Sequence, residues 1–167
     1  VYDVWERTLK VLGQLEAILA ALESGSGGDD PFLTMLINSL GKYRERFESH
    51  FTESLNTDRS VRAVLFFAAL VHDVEKPATK TVDESGRIRF FDHDVQGAKV
   101  ASMRGHKFNL SNDEIGRIKK IIFNHMRFHF FTMQLEDKKR EPTRKSIYRF
   151  FRDAGEAGVD LILLGLA

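Results

Sequence analysis

The chain has 167 residues, 43% of them hydrophobic and 29% charged, with a formal net charge of +1. This is the size and balance of one ordinary globular domain, and so weak an overall charge demands neither a nucleic-acid nor a membrane partner, although Lys138-Lys139-Arg140 and Arg144-Lys145 make a dense basic stretch. Cysteine is absent, which excludes a disulfide framework and cysteine-ligated zinc and fits a cytoplasmic protein.

From about Asp3 to Glu23, Val4, Leu9, Leu12, Leu15, Ile18, Leu19 and Leu22 recur at three- and four-residue steps and predict an amphipathic helix. Ser24 to Gly28 is a break. Asp30 as N-cap with Pro31 at the first helical position then starts a second helix, expected to run to about His50. Asn56-Thr57-Asp58 is the next expected cap, followed by a buried helix from Val61 to about Asp73 that Pro77 stops. Residues 79–82 and 87–91 flank Asp83-Glu84-Ser85-Gly86 and predict a β-hairpin.

A helix from Asp94 to about His106 follows. Ser111 and Glu114 then form a capping box that opens a helix through Ile115, Ile118, Ile121 and Ile122 to about Met126. Phe128 to Leu135 is expected to be irregular, with Phe128, Phe130 and Phe131 forming a core plug in preference to a base-stacking surface. Pro142-Thr143 restarts helix through Phe150 and Phe151, and a last helix runs from about Glu156. No segment matches a signal peptide or a membrane span. The expected fold is all-α, a helical bundle with one small β-hairpin, forming a single domain over residues 1–167. Its ends fall inside expected elements, so it is expected to be excised from a longer protein.

The chemistry gathers at element ends. His72-Asp73 closes the apolar run Val64 to Val71, and a carboxylate there needs a hydrogen bond, a cation or a metal. His93 follows the hairpin and His125 lies toward the end of a later helix. Imidazole and carboxylate groups converging from separate elements suit a divalent transition metal. His50, His106 and His129 read as surface or core-edge residues, and Glu75 as a solvated charge.

These motifs resemble the HD-domain metal-dependent phosphohydrolases. More narrowly, they resemble the HD region of bacterial tRNA nucleotidyltransferases (CCA-adding) and poly(A) polymerase-like proteins. The resemblance is carried by Asp3-Val4-Trp5-Glu6-Arg7-Thr8-Leu9, by Leu70-Val71-His72-Asp73-Val74-Glu75-Lys76-Pro77, by Gly86 to Ala98 and by Ile121 to Arg127. It covers nearly the whole chain with the motifs in order.

It implies a metal held by His72, Asp73, His93 and His125, the ion being Mn, Ni, Co, Fe, Mg or Zn. Asp73 and Lys76 are implied as catalytic residues, and Lys76, Arg127 and Arg7 as phosphate-binding ones. The implied substrates are phosphoesters of nucleotides or RNA ends; the implied partners are nucleotide or tRNA and neighbouring domains of a parent protein.

The chain departs from the family pattern in three places. Arg7 stands where the family has its first histidine, and a guanidinium cannot ligate a metal. The late family aspartate is expected just past Ala167, with Asp160 a weaker substitute. Glu75 replaces a glycine. A second reading therefore has Arg7 paired with Asp73 in a degenerate domain used for RNA binding or domain packing. A third has a stand-alone nucleotide hydrolase.

Overall fold

A computed structural model describes residues 3–56, 59–138 and 141–167, with the side chains of 135–138 excepted. Among these residues there are eight α-helices and one two-stranded antiparallel sheet, so the fold is the all-α bundle with a hairpin.

Helix α1 (Val4–Ser24) starts where Asp3 Oδ1 accepts from the Trp5 amide at 2.8 Å, and it ends on Gly25 in the left-handed region (φ 73°). Its buried stripe of Leu15, Ile18, Leu19 and Leu22 faces the centre of the bundle. Helix α2 (Pro31–Leu40) begins on Asp30 as the sequence indicates, with Oδ1 accepting from the Phe32 and Leu33 amides. The single helix expected as far as His50 is in fact two. A 3-10 turn at Gly41–Tyr43 separates α2 from α3 (Arg44–Thr52), and glycine is a weak helix former at that point.

Helix α4 (Val61–Val71) is the buried helix. Its N-cap is Ser60, whose Oγ accepts from the Ala63 amide at 3.3 Å. The expected cap at Asn56-Thr57-Asp58 is therefore displaced, and Thr57 and Asp58 lie outside the described residues. Helix α4 gives way to turns at His72, before Pro77 is reached. Strands β1 (Lys80–Val82) and β2 (Ile88–Phe90) pair with Thr81 opposite Arg89, and Gly86 takes the positive φ of the turn (80°).

Helix α5 (His93–Lys107) lies on α6 (Asn112–Lys138) along a side kept thin by Gly97, Ala98, Ala101 and Gly105. A Cβ on Gly105 would sit 2.9 Å from Ile115 Cγ1. The expected capping box is present: Ser111 Oγ accepts from the Glu114 amide and Glu114 Oε2 from the Ser111 amide.

Helix α6 does not stop near Met126, however, and the irregular segment expected from Phe128 is helical. No glycine or proline interrupts the chain between Gly116 and Pro142, and Phe128 and Phe131 continue the core-facing side. Helix α7 (Arg144–Ala154) is capped by Thr143. Helix α8 (Gly158–Leu166) crosses α6 so closely that a Cβ on Gly165 would lie 2.1 Å from Phe128 Cδ1. No helix among the described residues is long and apolar enough to cross a membrane.

Candidate metal centre

Three helices and the hairpin bring the site together. Asp73 sits in the turn after α4, His93 is the first residue of α5, and His125 lies in the middle of α6. The chain enters α5 through Asp92, held in the left-handed region at φ 58°, which aspartate tolerates better than most residues. That turn points His93 inward.

Each imidazole is fixed in the same way. The Nδ1 atoms of His72, His93 and His125 lie 2.7, 2.8 and 2.6 Å from the carbonyl oxygens of Ala69, Phe90 and Ile122, each three residues back. A carbonyl only accepts, so each Nδ1 carries the proton and each Nε2 of the neutral ring offers a lone pair.

The lone pairs converge. His93 Nε2 and His125 Nε2 are 3.2 Å apart, and each lies 3.6 Å from Asp73 Oδ1. The donor atoms of Asp73, His93 and His125 all fall within 4.8 Å of one another. His72 stands slightly aside, its Nε2 3.2 Å from the other oxygen, Asp73 Oδ2, which also accepts from Lys76 Nζ at 2.6 Å.

Asp73 is only 2% exposed, and its Oδ1 is a buried oxygen without a hydrogen-bond partner among the described residues. Burial alone would push the Asp73 carboxyl up. His125 and His72 in their protonated forms, with the Lys76 ammonium, would hold the group well below the usual carboxylate range; with both imidazoles neutral, the Lys76 ammonium 2.6 Å from Oδ2 is the cation that remains. Burial pushes the His93 imidazole down, toward the neutral form that binds metals. An anionic oxygen and two nitrogen lone pairs facing one another out of water need a cation between them, so the residues fit a divalent ion.

A cavity of about 740 Å³ opens over Asp73. Arg7, Lys10, Lys76 and Arg87 line it, with Phe90 and the end of α8 as apolar wall. Arg7 and Lys76, expected to hold phosphate, are both at this cavity. Arg127 is not: it pairs with Asp153 at 2.6 Å and lines a groove on the α7 side of α6. Asp160 is no substitute ligand either. It is fully buried, bonded to Arg117 Nε (2.7 Å) and His50 Nε2 (2.9 Å), and that network rather than an open surface is the setting of His50. Sequence reasoning passed over Lys10 and Arg87. Lys10 lies one turn beyond Arg7 and so shares its side of α1, a signal that the helical period already carried.

A helical bundle in which a histidine–aspartate pair meets two further histidines beneath a cationic cavity has the form of an HD-type domain. The HD domain model matches residues 33–153, and the chain belongs to the HD domain family. It is also similar to the CC-adding tRNA nucleotidyltransferase of Thermus thermophilus, at 33% identity over 98 residues, or 58% of this chain. The match spans only 20% of that protein.

Proposed function

We propose that this HD domain holds one divalent ion at Asp73, His93 and His125, with His72 as the further donor, and hydrolyses phosphoesters of nucleotides or RNA ends. The observation that carries the reading is the buried, unpartnered Asp73 Oδ1, faced by two imidazole nitrogens whose protons are turned away. The chemistry a divalent ion supplies in such a site is Lewis acidity toward a phosphoryl oxygen and activation of water.

The chain's own residues do the rest. Asp73 supplies the anion, and the i−3 carbonyls keep the imidazoles in the ligating tautomer. Lys76 is held against Asp73 Oδ2, at the cavity wall, where its ammonium can also meet a phosphate oxygen. Arg7, Lys10 and Arg87 surround the same space with positive charge and favour an anionic substrate over a neutral one. The relative named for CC addition supports a tRNA-processing setting. The similarity to that protein is confined to a minor part of its length, so we assign nucleotide addition to other parts of such proteins. A cytoplasmic location is part of the same reading.

The test is metal content followed by turnover. After dialysis against Mn²⁺ or Ni²⁺, the chain should retain about one ion and hydrolyse a 2′,3′-cyclic nucleotide, and Asp73→Ala and His72→Ala should abolish turnover. Absence of stoichiometric uptake of any of the six candidate metals sinks the reading. A second reading, a binding module without turnover, is favoured by one observation: Arg7 lines the cavity in the segment where the family has a histidine. It requires salt-sensitive RNA affinity with no hydrolysis.

A further inference from the structure

The chain's positive charge is concentrated in one place. Between Lys138 and Arg152 lie seven basic side chains and one acidic one, a local +6 in a chain that nets only +1. Of these, Arg144, Lys145, Arg149 and Arg152 belong to α7.

Burial fixes which way they point. Phe150 and Ala154 are the buried residues of α7, so the helix is anchored by that side. Tyr148 lies about half a turn from Phe150 and is 67% exposed. Arg152 sits one turn on from Tyr148, with Arg144 and Lys145 one turn back, and all three are exposed, as is Arg149. Arg152 is paired with its neighbour Asp153. Arg144, Lys145 and Arg149 take no ion pair among the described residues. The outward side of α7 is thus a tyrosine ring framed by cations.

Helix α7 is joined to the candidate metal centre through α6, by its inward side. His125, Met126 and His129 line the cavity over Asp73, while the adjoining Arg127, Phe130 and Phe131 line a groove of about 210 Å³ shared with Ser146 and Phe150 of α7.

We propose that the outer side of α7 binds single-stranded RNA, with Arg144, Lys145 and Arg149 on the phosphates and Tyr148 stacked on a base. Cations along a backbone path, with an aromatic ring among them, are what an unpaired strand requires. An anionic membrane fits less well: the exposed Ile147 and Phe151 lie to one edge of α7, and the cations Arg144, Lys145, Arg149 and Arg152 surround the single ring of Tyr148, leaving no broad apolar face to enter a bilayer. The proposal rests on the hydrolase reading only in its choice of RNA as the substrate class delivered to the cavity.

The experiment is anisotropy of a labelled oligouridylate of about 12 nucleotides, titrated with the full chain over a range of salt. The triple variant Arg144→Ala, Lys145→Ala, Arg149→Ala should weaken binding at least about tenfold and lower the slope of log affinity against log salt by about 2. Tyr148→Ala should weaken it about fivefold or more while leaving the slope unchanged. All four side chains are exposed, and unaltered circular dichroism and thermal melts of both variants would confirm intact folding.

Equal RNA affinity in wild type and both variants overturns the proposal and leaves the hydrolase reading standing. RNA binding that depends on α7, in a chain that takes up no metal, does the reverse. Binding of phosphatidylserine vesicles but not oligouridylate through these residues also overturns it, in favour of a membrane surface.

Discussion

Arg7 and Asp73 line one cavity, and the charge of the first opposes what the second requires. A divalent ion beside Asp73, His93 and His125 meets the guanidinium as a like charge, whereas a histidine in that place would remove the charge and add a donor. Arg7→His should therefore raise Mn²⁺ or Ni²⁺ affinity by about tenfold or more, the scale on which groups around a metal site alter its affinity. Titration calorimetry measures this, and Arg7→Ala separates the two contributions, because it removes the charge without supplying a nitrogen. Equal metal affinity in all three proteins would show that position 7 does not reach the ion.

That His72, Asp73, His93 and His125 would come together was legible in the sequence because each sits beside a recognisable feature: an apolar run, a hairpin or an isoleucine-rich helix. Their ranking was not legible. Which oxygen of Asp73 each imidazole approaches depends on the i−3 carbonyls that aim the rings, and those contacts leave no trace in residue identity.

At the scale of elements, the capping box at the start of α6 is also a buried charge cluster. Glu114 is fully buried, and its carboxylate accepts from Arg59 Nε (2.6 Å), Asn56 Nδ2 (2.8 Å) and the Ser111 amide (2.6 Å). Burial pushes its carboxyl up, but the Arg59 and Ser111 hydrogen bonds prevail and hold it below its ordinary value of 4.5. A carboxyl depressed in the folded state contributes stability that is complete above the unfolded pKa and declines as pH falls through the folded one. The unfolding free energy should accordingly fall as pH drops below about 4.5, and Glu114→Gln should flatten that acid limb. Glu114→Ala removes the acceptor of the Arg59, Asn56 and Ser111 bonds and, since Arg59 stays partly solvated, should cost about 1–3 kcal/mol in urea unfolding at pH 7. A loss under about 1 kcal/mol would mean that the cluster adds little beyond an ordinary cap.

The contact of α5 with α6 makes a second prediction at this scale. Gly105→Val would force its side chain into Ile115, already 2.9 Å from a bare Cβ, and overpacking of this kind costs roughly 1–3 kcal/mol. Thermal melts would register it, and an unchanged midpoint would show that α5 can lift from α6 without penalty.

The caps at Asp30 and Ser111 were readable because capping chemistry is local. The length of α6 was not. Phe128, His129, Phe130 and Phe131 form an aromatic string, and only packing shows that Phe128 and Phe131 turn toward the core while Phe130 faces outward.

For the whole molecule, the site matters as a tie between elements that are distant in sequence. Asp73 follows α4, His93 joins the hairpin to α5, and His125 belongs to α6, the helix against which α4, α5 and α8 all pack. Unfolding separates the three donors, so an ion bound by them stabilises the folded chain by RT ln(1 + [L]/Kd), about 2.7 kcal/mol at a hundredfold excess over Kd. For a domain of this size each kcal/mol is worth roughly 2–4 °C in Tm.

Scanning calorimetry in Mn²⁺ or Ni²⁺ against EDTA should therefore show a rise of roughly 5–10 °C. Asp73→Asn should remove that rise, because it neutralises the one anionic donor while keeping the shape of the side chain. Arg144→Ala, out on α7, should preserve it. A metal-induced rise that persists in Asp73→Asn would place the ion elsewhere in the protein, and stoichiometric binding with no rise would mean that the ion bridges fewer than these three elements.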